Sequence, residues 1–350
     1  MGLFPNKKIK AFGLDISDTS VKVMELVKYQ GSFRPTAFAD VLLPDKVISN
    51  NRIINEQKLA DTILMALSAA GHVESKFAIC SVPEAKSFVR NLQLPKMDES
   101  EIDGAIYYEL EQDIPIPINQ VYLDWQIIRT EPDKLDLLVT AAPKIYVDAL
   151  SSSLRLAKIT PIAMELESQA TARALIGPTE AGKNVLIVDL ATKQTSFIIL
   201  KAGVIQYTSS MPLAGKAMTE SIGRNLNVPV DSAEKLKQSA GLIAGVDGVN
   251  LVQAIAPVLD RIIDEIKNTM RFFNEHDPNH KTIDTIMLCG GTAKLAGLVE
   301  YISQRIDPGT GVSSAGATVN VDNPLMKIIK NSTNLVPLDA LSFTTVAGLA

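Results

Sequence analysis

Two stretches of this chain repeat one another at half its length. The first, FGLDISDTSVKVMEL, runs an apolar strand up to Asp15, then a hydroxyl-bearing turn, then a returning strand. The second, VLIVDLATKQTSFIIL, does the same around Asp189, 174 positions later in a chain of 350 residues. Self-similarity at a fixed period constrains a fold more than any single motif. A duplicated two-lobed α/β fold with a cleft between its halves follows more readily than one large sheet, and 350 residues suffice for two substantial cores.

Between the repeats the pattern changes twice. NEQKLADTILMALSAAG places Leu59, Ile63, Leu64 and Leu67 at helical spacing, and Gly71 stops the helix. DESEIDGAIYYELEQDIPIP starts with a capping-box-like Asp98 and Glu101, carries an apolar stripe at Ile102, Ala105 and Ile106, and ends at Pro115 and Pro117. With its flanking strands, this helix is read as an inserted α+β subdomain over residues 76–160. The first lobe then takes residues 1–75, 161–180 and 325–350, and the second takes 181–324 with a helical part over 223–283.

Charge and composition exclude several classes. A net charge of −5 and no dense Lys/Arg block argue against nucleic acid, whose phosphates demand clustered positive charge. Lys7, Lys8 and Lys10 form one short basic group. The longest apolar runs are too short to span a bilayer, and MGLFPNKKIK lacks the apolar core of a signal peptide, so a cytoplasmic protein is expected. Cys80 and Cys289 sit within apolar segments and read as buried thiols. His276 and His280 flank Asp277 and Pro278 in an expected loop, more in keeping with plain surface than with a metal site.

GPTEAGKN, residues 177–184, comes one residue short of a phosphate-binding P-loop. A working P-loop needs a strand before it, a helix after it and a hydroxyl after the Lys. Here a helix precedes, a strand follows, Asn184 replaces the hydroxyl and Pro178 removes an amide donor. A connector entering the second lobe is expected. The two Asp turns are better candidates, since a tight turn aims successive amides at one spot suited to an anion. Asp15 with Ser17, Thr19 and Ser20 forms one jaw; Asp189 with Thr192 and Thr195 forms the other. The two aspartates can hold Mg²⁺ through water. Gly290 and Gly291, after a buried strand, let the backbone approach a ring or ribose, with a helix expected to start near Lys294. Glu234 and Lys237 lie one helical turn apart, where they can bond ribose hydroxyls or simply pair with each other on a solvated face.

GLDISDTSVK, LIVDLATKQT, AEKLK, CGGTAKLAG and the terminal TTVAGLA resemble, in order and spacing, the phosphate, ribose, adenosine and connecting segments of the actin, hexokinase and heat-shock chaperone superfamily. MELESQATARAL resembles its first connecting segment, with Glu167 at the acidic position. The resemblance implies an actin-like (ribonuclease H-like) fold with ATP and Mg²⁺ in the interlobe cleft. It extends the contact set to Lys22, Gly215 and Thr292. Were ATP hydrolysed, Asp189 and Glu167 would carry the catalysis.

The insertion, through SVPEAKSFVRNLQLPKMDESEID and YYELEQDIPIPINQVYLDW, resembles that of the PilM family of type IV pilus assembly. That likeness implies binding of the cytoplasmic tail of a PilN-like membrane protein, indirect links to PilO/PilP-type proteins and the pilus motor, and a peripheral place at the inner membrane. It leaves homo-oligomerisation open. The cell-division protein FtsA is a rival, although its C-terminal amphipathic helix has no counterpart after Ala350. Both phosphate turns depart from the superfamily, with Ser17 and Ala191 where Gly is usual. A Cβ there is expected to narrow the phosphate space or strain the backbone, leaving binding stronger than turnover.

Overall fold

The computed structural model of the chain describes residues 10–29, 32–49, 52–84, 87–110, 116–243, 251–277, 280–306, 317–321 and 340–350. Lys7, Lys8, Pro115 and Pro278 lie outside these, as does the start of the 325–350 segment.

The first lobe is a sheet built around β1 (Phe12–Ile16), whose five residues are all buried. β2 (Ser20–Tyr29) returns antiparallel beside it, with Asp15 opposite Lys22, and β3 (Ser32–Leu42) follows as the edge. A short ladder, β4 (Ile48–Ser49) with β5 (Arg52–Ile53), leads into α1 (Glu56–Ala69). Asn55 caps α1 by accepting from the Lys58 amide, and Gly71 follows at φ +89°, as its place in the sequence predicted. On the far side of β1, β6 (Phe77–Val82) pairs in parallel.

The insertion proper is a smaller layer. β7 (Phe88–Pro95) opens it, and α2 (Glu99–Leu110) lays Ile102, Ile106 and Leu110 against the sheet. Only half of the capping box forms: the Glu101 carboxylate accepts from the Asp98 amide, 3.2 Å away. β8 (Val121–Thr130) and β9 (Lys134–Pro143) complete a sheet in the order β7-β9-β8.

Two elements from the 76–160 span fall in the first lobe instead. β6 is central to that lobe's sheet, and α3 (Lys144–Leu156) buries Tyr146, Leu150 and Leu154 in its core. The reason is their apolar pattern: a strand with Ala78, Cys80 and Val82 buried on one face and a helix with an i, i+4, i+8 stripe need the larger core. β10 (Thr160–Leu166) then closes the sheet as its other edge, and α4 (Glu167–Leu175) follows.

The second lobe repeats the plan. β11 (Asn184–Leu190), β12 (Thr195–Lys201) and β13 (Val204–Met211) take the places of β1, β2 and β3. α5 (Gly215–Leu226), α6 (Val230–Ala240) and α7 (Val252–His276) follow, then β14 (Thr285–Cys289), α8 (Leu298–Ser303) and β15 (Thr318–Val321). The sheet orders, β10-β6-β1-β2-β3 and β15-β14-β11-β12-β13, match position for position. β11 is apolar from Val185 to Val188 because both of its faces are covered there. Val185 and Ile187 pack toward the first lobe's core, while Leu186, Val188 and Leu190 pack under α5, α7 and α8.

α9 (Thr344–Leu349) returns to the first lobe and crosses α4. Gly348 lies directly on the Ala170 backbone, and the Thr171 and Thr345 hydroxyls bond at 3.0 Å. Two local expectations change. The turn after β14 is a single 3-10 turn over Gly291–Lys294, and α8 begins only at Leu298, because Gly297 sits at φ +80° and interrupts the helix. His276, expected in a loop, ends α7, its ring bonded to the Phe272 carbonyl.

Candidate functional site

The β1–β2 and β11–β12 turns come from opposite lobes and meet at their tips. Lys193, in the second turn, donates to the Asp18 carbonyl in the first at 3.3 Å. Beneath them lie the two aspartates. Asp15 is only 6% exposed; its Oδ2 stands 3.9 Å from the Lys22 ammonium, and its Oδ1 has no partner among the described residues. Asp189 is partly buried. Burial pushes its carboxyl up to about 6, with Lys22 pulling down and Asp15 pushing up.

Two more carboxylates join this pair. Glu167, the first residue of α4, is held well above the usual carboxylate range by burial and by Asp15, with Asp189 and Glu84 adding to the effect. Its Oε2 accepts from the Glu84 amide at 3.3 Å, while Glu84 Oε2 accepts from the Ser168 amide at the same distance. Burial raises Glu84 too, against hydrogen bonds from Thr208 and Ser168, and its Oε1 has no partner among the described residues. The Tyr146 hydroxyl, buried and without a partner among the described residues, feels the charges of Glu167 and Asp15. Asp15, Asp189, Glu167 and Glu84 thus form one buried, mutually repelling group with Lys22 beside the two aspartates, an arrangement that a cation relieves.

The orphaned oxygen of Asp15 and the all-oxygen donor set fit Mg²⁺. Among the described residues no three acidic, His or Cys side chains converge as a direct metal cage.

The other sequence-predicted residues divide. Ser17, Thr19 and Ser20 form the first turn, and neither Ser17 nor Ala191 has a positive φ. The expected backbone strain is therefore absent, because both turns use geometry open to any residue. Thr192 is exposed in the second turn, and its carbonyl receives the Lys216 amide at 2.8 Å. Thr195 faces away: it is buried and bonds the Leu213 carbonyl at 2.7 Å. Gly215 opens α5, with its amide on the Ala191 carbonyl, which Thr292 also bonds at 3.0 Å.

Gly290, at φ +84°, is where a Cβ would meet Asp189 Oδ1 and stand 2.6 Å from the Leu190 carbonyl oxygen. Only glycine lets that backbone pass so close to the aspartate. Gly291 and Lys294 are exposed on the 3-10 turn. Lys237 is buried and bonds the Gly215 carbonyl, the Thr219 hydroxyl and Glu234 at 2.8–3.1 Å. It ties α6 to α5, leaving Glu234 as the half-exposed member of the pair.

Glu84, Tyr146 and Lys193 escaped the sequence reading. Glu84 carried a signal, an acid just after a buried strand parallel to β1. Tyr146 carried none, since its spacing to Leu150 and Leu154 is that of a core residue.

Mirrored sheets, opposed Asp turns and the crossed helices α4 and α9 define a protein of the actin-like ATPase fold. Within that class the chain belongs to the type IV pilus assembly protein PilM family, whose sequence model matches residues 13–350. A solved PilM-PilN type IV pilus biogenesis complex is similar over 98% of both chains, at TM-score 0.81 and 23% identity. MreB5 of Spiroplasma citri bound to AMPPNP shares the fold over 98% of this chain and 95% of its own, at TM-score 0.53 and 11% identity. The cell division protein FtsA of Pseudomonas aeruginosa is 27% identical over 182 residues, 46% of this chain and 44% of that protein. The chain thus spans less than half the length of the curated relatives it matches. Among the described residues no helix is long and apolar enough to cross a membrane.

Proposed function

We propose that this chain is an adaptor of type IV pilus assembly that binds ATP with Mg²⁺ between its lobes and captures the extended cytoplasmic tail of a PilN-like membrane protein. The observation that carries the capture is a groove of about 700 Å³ between two sheet edges that are unpaired among the described residues, β8 of the insertion and β10 of the first lobe. Ala163, Met164 and Gln169 line one wall, Asp124 and Gln126 the other, and the end of α9 the floor.

An edge strand offers a row of free backbone donors and acceptors, so a peptide laid between two edges gains main-chain bonds along its length. Arg173, the cation of the groove, is committed to Glu165 and the Gly348 carbonyl. Asp124 is left to favour a basic tail. Asp15 and Asp189 would hold the Mg²⁺ through water, with Lys22, the two turns and Glu234 around the nucleotide. The ion supplies charge neutralisation for the crowded carboxylates. The Cβ atoms of Ser17 and Ala191 favour occupancy over hydrolysis. Attachment through the membrane-anchored partner would place the protein at the cytoplasmic face of the inner membrane.

Calorimetry with the basic N-terminal peptide of the PilN-like partner tests this reading. We expect binding to the full chain and a loss of about tenfold in Asp124→Lys, the size of one rim charge reversed. No binding by the wild-type protein refutes the capture.

A further inference from the structure

The first phosphate turn is already occupied, by its own side chain. Ser17 Oγ lies 3.0 Å from the Ser20 amide and 3.3 Å from the Thr19 amide, so both donate to it. The hydroxyl in turn donates to the Ser20 carbonyl at 3.2 Å, and it stands 3.3 Å from Thr19 Oγ1. The Ser17 amide closes the turn on the Ser20 carbonyl at 3.0 Å. Three of the amides that such a turn would aim at an anion are thus committed internally. An oxygen at the point where two amides converge is the place a bound phosphate oxygen takes in a backbone nest.

The second turn closes the same way, its Ala191 amide on the Gln194 carbonyl at 3.2 Å, and differs at the side chain. Residue 191 is alanine and has no oxygen to insert. Its carbonyl is instead held from outside by Thr292 and Gly215. The two jaws therefore differ in readiness despite their matching topology.

We propose that Ser17 is an internal competitor for the nucleotide phosphate: its hydroxyl fills the donor site of the first turn and so sets the chain's affinity for ATP. This rests on the nucleotide reading above and adds which residue tunes it. A phosphate oxygen carries full charge and makes a stronger bond to an amide than a neutral hydroxyl does, so ATP can displace Ser17. Displacement costs the hydroxyl's bonds, and that cost is subtracted from the affinity. Engagement is then sequential: the second lobe takes the phosphates first, and the first lobe closes on them once Ser17 has rotated away. A regular φ at Ser17 means that replacing it by alanine introduces no backbone strain.

The test uses the full chain with ATP·Mg²⁺ in titration calorimetry, together with hydrogen exchange of the segment containing Thr19 and Ser20 in the absence of nucleotide. Ser17→Ala is expected to bind about tenfold tighter, the equivalent of one hydrogen bond no longer sacrificed. Its Thr19 and Ser20 amides should exchange faster than in the wild type. Ser17→Thr keeps the hydroxyl and should match the wild type in both measurements. Wild-type binding with equal or weaker binding by Ser17→Ala overturns the proposal and leaves the nucleotide reading standing. Unchanged exchange in Ser17→Ala also overturns it, since the hydroxyl would not then be holding the amides. If none of the three proteins binds ATP at millimolar concentration, both readings fall.

Discussion

Asp189 sits where function and stability pull in opposite directions. Its ordinary value is 3.8, and burial lifts it to about 6, so the folded chain keeps this proton over a range in which the unfolded chain has lost it. Between those values the native state binds more protons, and the contribution of Asp189 to stability falls as pH rises through that window, then levels off above it. Asp189→Asn removes a buried charge while keeping the shape. We expect its thermal midpoint at pH 7 to exceed that of the wild type by a few kelvin, with a flatter pH dependence between about 4 and 6 in calorimetric scans. The same substitution should abolish Mg²⁺-dependent ATP binding. Both aspartates could be picked out in the sequence because each ends an apolar strand. Lys193 could not, because its role depends on a turn 175 residues away.

At the scale of elements, the crossing of α4 and α9 packs the C-terminal helix onto the first lobe. Gly348 leaves no room there: a Cβ would fall on the Ala170 carbonyl oxygen, with its carbon only 2.5 Å away. Gly348→Val must push the helices apart or unwind α9, which would separate the Thr171 and Thr345 hydroxyls as well. A loss of more than about 3 kcal/mol in denaturant unfolding is expected, the range of severe core overpacking. TTVAGLA resembled a connecting segment in the sequence, but nothing in its composition showed which residue would touch Ala170. The near P-loop is the reverse case. With α4 before it and β11 after it, residues 177–183 form an exposed turn, as the order of flanking elements already implied.

Across the whole molecule, a ligand gripped by both lobes should raise the stability of the whole. At ATP·Mg²⁺ one hundred times above its dissociation constant the gain is about 2.7 kcal/mol, measurable as a shift in the thermal midpoint that Asp189→Asn should lack. The sequence by itself determined the duplication, the paired aspartates, the insertion and the family, because local periodicity and motif order report strand, turn and helix directly. Only the tertiary structure decided that β6 and α3 belong to the first lobe, since an apolar face goes wherever it finds cover. It also decided that Thr195 turns inward and that Lys237 is spent on α5. The groove between β8 and β10, and the Ser17 hydroxyl lodged among its own turn's amides, belong to tertiary structure for the same reason. Hydrogen bonds and open sheet edges are set by what lies opposite in space, and residue spacing along the chain carries no record of that.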